Sequence, residues 1–188
     1  MMKKPLSALI LIILFVGVAC QLPFTFRNQT ENTSAQFSPE AAQVVEKLLE
    51  EIESQKGTFA FTITEEELTS YVTLKLAETQ DDLSITNIHT TLDNDQIIMT
   101  GDFFVSALGI NIPIELIITA ETDIQENLVF NLESINLGNL AVSDTLEQQL
   151  SKAVNEALTN NISNQLTGTT IDTIYIDNHM LTISGTIN

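Results

Sequence analysis

The side chains that could carry chemistry in this chain of 188 residues are mostly carboxylates. Three consecutive glutamates, Glu65, Glu66 and Glu67, could bind a metal ion or transfer protons. They follow Thr64, however, and Thr-x-x-Glu is the capping box that begins many helices. Because carboxylates are also favoured in the first turn of a helix, we interpret this cluster as the start of a helix.

A second cluster, Asp93-Asn94-Asp95, has oxygen ligands at a spacing suited to calcium. It lacks the glycine and the distal glutamate of an EF-hand loop, so a plain hairpin turn is the better interpretation. The histidines, His89 and His179, fall in or beside expected hairpins at non-equivalent places. We therefore do not expect them to share a metal site.

The chain contains no nucleotide-binding glycine motif and no G-x-S-x-G nucleophile motif. Its 25 acidic residues include no pair that the pattern singles out for glycosidase-like catalysis. We therefore predict that the protein is not an enzyme and that it uses no metal and no cofactor.

The only cysteine, Cys20, lies at the end of a segment with a secretory layout. Residues 1–19 begin with a basic stretch and continue with an apolar run over residues 6–18. That run is shorter than the roughly 20 residues of a spanning helix, so it predicts a signal peptide. A single cysteine cannot form an internal disulfide, which favours a different role for this thiol.

Residues 16–20, with the sequence VGVAC, resemble the lipobox of bacterial lipoproteins, although Gly17 stands where that family usually has an aliphatic residue. The resemblance implies that Cys20 is lipidated and becomes the mature N-terminus. It places the protein on the extracytoplasmic side of the bacterial cell envelope, anchored to the membrane. The alternatives are an ordinary cleaved signal and an uncleaved short anchor.

The charge of the chain excludes some partners. The formal net charge is −18, and removal of residues 1–19 leaves 5 basic residues against 25 acidic ones, or about −20. Nucleic acid is excluded as a partner, because neutralising phosphates requires clustered lysine and arginine. Adhesion to anionic headgroups through the protein surface is disfavoured for the same reason, so a lipid anchor must supply the membrane attachment.

Alternation of apolar and polar residues over residues 110–120 is the strongest structural signal. The even positions are apolar and the odd positions are polar, with Ile117 as the exception. This period predicts a half-buried antiparallel strand. Similar runs predict further strands at residues 58–64, 83–92, 97–105, 128–137, 171–176 and 180–187, with a bulge near Asn87 and Ile88.

Apolar stripes at helical spacing predict three helices. The first begins with Ser38 as its N-cap and ends before Gly57, and the second runs from Thr64 to about Glu78. The third begins near Ser143 and continues for about 22 residues, or roughly 33 Å. The polar residues 20–37 predict a flexible tether, which leaves residues 38–188 as a single domain.

The sequence also contains a faint internal repeat. Residues 85–101 and residues 171–185 each hold two isoleucines three apart, then an Asp-Asn pair, then a glycine, and each follows a helix. This similarity indicates either a duplicated helix-plus-hairpin unit or chance in a chain rich in Ile, Thr and Asn.

Three segments together resemble a known group of envelope proteins. Residues 61–71, FTITEEELTSY, are similar to a strand-then-helix signature, "F-x-I-T-E-x-E-L-N-x-Y". Residues 135–138, INLG, precede the third helix, and residues 181–185, LTISG, close the terminal hairpin. This order resembles the bacterial lipid-binding families of YpmS and LmeA type, related to the tubular lipid-binding (TULIP) superfamily, although the usual proline is missing from residues 139–143.

The resemblance implies a TULIP-like α+β fold, in which a curved antiparallel β-sheet packs on long amphipathic helices around an apolar groove. It further implies that the groove binds phospholipid or another acyl lipid, held by burial of CH₂ groups. The residues expected to line the groove are Ile110, Ile112, Ile114, Leu116, Ile118, Leu128, Phe130, Leu132, Leu150 and Val154. The alternative is an anchored, non-enzymatic interaction or scaffold module with a filled core, because periodicity alone does not distinguish a core from a lined cavity.

Overall fold

The computed structural model describes residues 37–54, 56–78, 85–105, 109–138, 140–166 and 168–187. All of these residues belong to one compact unit, residues 33–188. The expected signal peptide and Cys20 lie outside the described residues, as does the expected tether apart from Phe37.

The described residues form an α+β fold of three α-helices, one π-helical segment and seven strands. The elements in chain order are α1 (Pro39–Ser54), β1 (Gly57–Thr64), α2 (Glu65–Glu78), β2 (Ile85–Asp93), β3 (Gln96–Val105), β4 (Ile110–Thr122), β5 (Leu128–Asn136), α3 (Asp144–Val154), the π-helical segment Asn155–Ser163, β6 (Thr169–Asp177) and β7 (Met180–Ile187).

The strands form two antiparallel sheets, where the sequence predicted one. The four-stranded sheet has the order β2-β3-β4-β5, in which every pairing joins consecutive strands. The three-stranded sheet has the order β1-β7-β6, so the strand before α2 pairs with the last strand. This non-local pairing separates β1 and the terminal hairpin from the meander.

The helix starts follow the predicted capping residues. The Ser38 hydroxyl accepts a hydrogen bond from the Ala41 N–H at 3.2 Å. At α2 the Thr64 N–H donates to the Glu67 carboxylate at 2.9 Å, and the Glu67 N–H donates to the Thr64 hydroxyl at 3.3 Å. This reciprocal pair confirms the capping box.

The third helix is shorter than the sequence predicted. It is α-helical over only 11 residues, Asp144–Val154, and then continues as 9 π-helical residues. Within that segment the Asn161 side-chain amide donates to the carbonyl oxygens of Glu156 and Ala157. Such side-chain bonds to the backbone compete with the α pattern and accompany the wider turn. The other two helices have 16 and 14 residues, so the expected long helices are not confirmed.

The two hairpins that suggested a repeat have the same turn. Both central residues have positive φ in each case: 49° and 58° at Asn94 and Asp95, and 50° and 60° at Asn178 and His179. Positive φ at both positions is typical of the tight turn that matches the twist of paired strands. The predicted hairpin at residues 93–95 is therefore confirmed.

Each of these hairpins also contains a bulge and a closely packed glycine. The pairing shifts between Thr86 and His89, where the bulge was predicted, and again between Ile171 and Thr173. A Cβ atom on Gly101 would lie 3.0 Å from the Thr86 carbonyl oxygen. A Cβ atom on Gly185 would overlap the carbonyl oxygen of Thr170 in β6 and would lie 2.9 Å from the Phe59 ring.

The buried faces of both sheets and the inner faces of the helices share one hydrophobic core. Phe59, Phe61 and Ile63 enter it from β1, and the rings of Phe59 and Phe61 stack with their centroids 6.1 Å apart. Leu181 and Ile183 enter the core from β7. The opposite faces of both sheets are mainly polar, although Ile98, Phe104 and Ile117 lie on the outer face of the four-stranded sheet.

Candidate functional site

The residues predicted to line a lipid groove lie mainly within the core. Eight of them are buried, with at most 7% of their surface exposed: Ile112, Ile114, Leu116, Ile118, Leu128, Phe130, Leu150 and Val154. The structure therefore places these eight side chains on a common buried face, between the four-stranded sheet and the helices.

The other two predicted residues lie apart from this group. Ile110 begins β4 opposite Val105 and is 48% exposed. Leu132 is partly buried beside the core and contributes to a pocket of about 130 Å³ between β5 and the segment that leads into α3. Glu133 and Glu147 also line that pocket, which makes it unsuited to an apolar chain.

One small cavity lies where the groove was expected, between the four-stranded sheet and the helices. Its volume is about 10 Å³, which is the space of roughly one water molecule. Ten apolar residues line it: Val72, Leu76, Ile85, Met99, Leu116, Leu150, Ala153, Val154, Ala157 and Leu158. Binding sites for drug-sized ligands typically measure about 300–1,000 Å³, so the described side chains fill this seam.

Sequence reasoning identified only part of this lining. Leu116, Leu150 and Val154 were predicted to line it, whereas the contributions of α2, β2 and β3 were missed. The signal was available, because Val72 and Leu76 belong to the apolar stripe of the second helix. The sequence did not reveal that α2 packs against the same sheet as α3.

A larger depression, of about 680 Å³, runs along the solvent side of α3 and the π-helical segment. Its described walls are polar and come from successive turns of this one helix, including Asp144, Glu147, Lys152 and Glu156. Lys152 and Glu156 form an exposed ion pair at 3.4 Å. Such a surface offers water-exposed charges and no apolar enclosure, so it does not suit an acyl ligand.

The phenol of Tyr71 is fully buried, and its hydroxyl has no hydrogen-bond partner among the described residues. Burial, followed by the nearby charges of Glu46 and Glu78, raises the pKa of this phenol. The Lys75 ammonium lies 5.5 Å from the centre of the Tyr71 ring. The raised pKa keeps the hydroxyl protonated at neutral pH, where its hydrogen has no acceptor among the described residues.

Lys75 links α1 to α2 beside this phenol. Its ammonium donates to Glu46 at 2.9 Å and to Glu78 at 3.2 Å. Burial opposes the charged form, but these hydrogen bonds outweigh it and raise the Lys75 pKa. The cluster is an ion-pair network that holds two helices together.

The glutamates after Thr64 have structural partners. Glu65 accepts a hydrogen bond from the Leu92 N–H at 2.8 Å and lies 3.0 Å from the His179 ring nitrogen. Glu67 closes the capping box, and Glu66 is exposed to solvent. Among the described residues, no group of three or more His, Cys, Asp or Glu side chains could hold a metal ion.

The outer face of the three-stranded sheet is rich in hydroxyl groups and poor in charge. The Thr62 and Thr182 hydroxyls lie 3.2 Å apart across β1 and β7. Tyr175 is 47% exposed on the outer side of β6, where Asp172 accepts a hydrogen bond from Thr186 at 3.4 Å. This face differs from the acidic remainder of the surface.

Comparison of the chain with protein-family models, with curated proteins and with solved structures gives no match in any of the three searches. No helix in the described ranges is long and apolar enough to span a membrane. The class that the structure defines is therefore a small α+β domain with two antiparallel sheets on one core.

Proposed function

We propose that this protein is an anchored, non-enzymatic interaction module of the bacterial cell envelope, with a filled core. The observation that supports this function is the packed seam between the four-stranded sheet and the helices, whose cavity measures about 10 Å³. Affinity for an acyl chain comes from burial of its CH₂ groups, at about 0.8 kcal/mol each. A seam with room for one water molecule has no space for them.

Membrane attachment, in this proposal, comes from lipidated Cys20 and not from the folded surface. The large negative charge of the chain repels anionic headgroups, so the domain itself does not adhere to them. Replacement of Cys20 by serine tests this part of the proposal. We expect Cys20→Ser to move the protein from the membrane fraction to the soluble extracytoplasmic fraction. Retention in the membrane fraction would contradict the lipid anchor.

A second candidate function is lipid binding in the same seam after outward movement of α3. The observation that favours it is the character of the cavity, whose described lining residues are all apolar and which borders the π-helical segment. Apolar cavities of this kind stay dry, and π-helical turns are frequent at functional sites. An acyl chain would then replace side-chain contacts of α3 with the sheet.

Native mass spectrometry of residues 21–188, incubated with mixed phospholipid vesicles, separates the two functions. A filled core predicts the mass of the protein alone, before and after incubation. A lipid bound at a ratio near one to one would contradict the filled core and support the second function.

Two alanines provide a matched pair for locating any bound lipid. Ala157 lines the cavity and is 1% exposed, whereas Ala141 is exposed ahead of α3. If lipid occupies the seam, Ala157→Leu should remove it and Ala141→Leu should not. Loss of lipid from neither variant would place the lipid elsewhere on the protein.

A further inference from the structure

The described strands have four sheet edges, and on three of these other elements form hydrogen bonds with outward backbone groups. The edges are β1 and β6 in the three-stranded sheet, and β2 and β5 in the four-stranded sheet. An open edge presents unpaired N–H and C=O groups to any other extended chain. Comparison of the four edges therefore shows where the fold accepts another strand.

The edge of β6 is closed by turns of the four-stranded sheet. The Ile171 N–H donates to the carbonyl oxygen of Glu126 at 3.0 Å, in the turn between β4 and β5. The Ile176 N–H donates to the Asp95 carboxylate at 3.3 Å, in the turn between β2 and β3. Both turns occupy the positions that an added strand would need.

The edge of β2 is closed by α2. The Thr90 N–H donates to the Thr69 hydroxyl at 2.9 Å, and the Leu92 N–H donates to the Glu65 carboxylate at 2.8 Å. These side chains take the hydrogen bonds that a fifth strand would otherwise form.

The first residues of the β5 edge are covered by the π-helical segment. The Phe130 N–H donates to the Thr159 hydroxyl at 3.1 Å, and the Ser163 hydroxyl donates to the carbonyl oxygen of Leu128. The segment therefore covers the start of β5.

No comparable hydrogen bond reaches the outer edge of β1 in the described part of the chain. The Thr64 N–H donates to Glu67 instead of to β7. Because N–H directions alternate along a strand, the N–H groups of Thr58, Ala60 and Thr62 point to the outer edge. The side chains of all three are exposed.

Strand β1 also lacks the features that normally prevent edge pairing. Such features are a bulge, a proline or an edge lysine. Its 8 residues, GTFAFTIT, contain no proline and no charge, and they pair with β7 in an unbroken register.

We infer that β1 pairs antiparallel with β1 of a second copy of this chain, which joins two three-stranded sheets into one of six strands. This inference rests on the proposed function as an interaction module and names its partner. The argument for a second copy is charge complementarity. Lys56 is exposed directly before β1, and Glu65 and Glu66 follow it. Antiparallel self-pairing about a two-fold axis places the basic end of each β1 beside the acidic end of the other.

The two faces of β1 also continue correctly across this junction. In the register centred on Phe61, Phe59 of one copy lies opposite Ile63 of the other. Thr58, Ala60 and Thr62 then share the outer face with their counterparts. In the joined sheet, apolar side chains therefore meet apolar side chains on the core side, and small or hydroxyl-bearing side chains meet on the outer side.

Site-specific cross-linking in the membrane tests the inference on the full chain. Cysteine is introduced singly at Ala60 or Thr62, each of which lies within about two residues of its own counterpart in this register, and cells are treated with a short bis-maleimide. The parent chain, whose only cysteine is Cys20, gives the background. Thr173→Cys is the matched control, because this residue is exposed on β6 of the same sheet. We expect a dimer from the β1 positions and only background from Thr173→Cys.

Charge exchange then distinguishes self-pairing from chance collision. In the Thr62→Cys chain, we expect Lys56→Glu to reduce the dimer, and its combination with Glu66→Lys to restore it. Ala60→Lys, which places a charge on the edge, should lower the dimer to background. Thermal unfolding of each variant shows whether the fold is kept, and the charge exchange alters only exposed side chains.

Two results would overturn the inference: dimer at the level of the parent chain from every β1 position, or a cross-linked product with the mass of a different protein. Neither result bears on the filled core, because the lipid measurement on residues 21–188 reports on the interior. A bound lipid, conversely, would contradict the proposed function and leave the cross-linking result unaffected.

Discussion

Leu116→Ala is the substitution that best separates a filled core from a lined groove. Leu116 lies in the middle of β4, is 1% exposed, and pairs with Met99 on one side and Ile135 on the other. It also contacts the cavity beneath α3. In a filled core its side chain contacts protein on every side, whereas in a groove much of its contact would be with lipid or solvent.

The expected cost follows from measured losses at similar positions. Leucine-to-alanine substitutions in a packed core cost about 2.7–5.0 kcal/mol, and they increase by about 24 cal/mol for each Å³ of residual cavity. The existing cavity of about 10 Å³ accounts for only about 0.2 kcal/mol on that scale. We therefore expect Leu116→Ala to lower the free energy of unfolding by about 3–5 kcal/mol, or Tm by roughly 5–20 °C.

Urea unfolding of residues 21–188, followed by circular dichroism, measures this loss directly. Ile110→Ala is the matched control, because Ile110 lies on the same face of β4 but is 48% exposed. We expect it to change stability by about 0.5 kcal/mol or less. Similar small losses from both substitutions would refute the filled core, because they would show that Leu116 lacks a full set of protein contacts.

Three further predictions concern the α1–α2 cluster and the glycines of the hairpins. Tyr71→Phe removes a buried hydroxyl that no described residue hydrogen-bonds, so we expect stability to rise by about 1 kcal/mol, measured by urea unfolding. The raised pKa of Lys75 means that its contribution is complete below its ordinary pKa of 10.5 and is lost as pH rises through the folded-state pKa. Lys75→Met should therefore flatten the fall in stability above about pH 10 in unfolding curves recorded at increasing pH. Gly185→Ala should cost about 1–3 kcal/mol, more than Gly101→Ala, because its added carbon meets less room.

Each of these predictions has a control within the chain. Tyr175→Phe removes a hydroxyl from a half-exposed ring and should leave stability unchanged; a loss of stability in Tyr71→Phe would reveal a hidden partner. Lys152→Met removes an exposed ion pair and should keep the alkaline fall in stability. Equal losses of stability from Gly185→Ala and Gly101→Ala would show that the backbone of β6 moves away from the added carbon as easily as the backbone of β2 does.

The sequence predicted the features of this fold that depend on local interactions. Ser38, Thr64 with Glu67, and the Asp93-Asn94-Asp95 turn each act within a few residues, and all three behave as expected. Strand positions were predicted because period-two alternation reflects burial of one face. The bulge before His89 was visible for the same reason, as a slip in that alternation.

The sequence did not predict features that depend on distant pairing or on small differences in pitch. The residues in and beside β1 do not show whether this strand pairs with β2 or with β7, so the sequence did not predict the second sheet. The apolar spacing of an α-helix and of a π-helical segment is nearly the same over nine residues, so the change at Asn155 was also missed.

The sequence indicated which faces are buried around the candidate site, but not whether side chains or a ligand fill the space between them. Leu116, Leu150 and Val154, which were expected to line a groove, lie beside the cavity, because alternation and helical stripes identify buried faces. The same pattern arises whether a buried face meets side chains or a ligand. Only the packing of α2 from the opposite side reveals that the space is occupied.

The pairing of β1 with β7 has a consequence for the order in which the chain folds. Thr62 and its partner Thr182 are 120 residues apart, whereas all the partners of the four-stranded sheet are consecutive strands. At a synthesis rate of about 5–20 residues per second, β1 emerges roughly 6–24 s before β7. During that interval both of its edges are open, and the three-stranded sheet can form only after most of the chain has been made. We therefore expect the meander to form before the three-stranded sheet, which leaves β1 unpaired for longer than any other strand described.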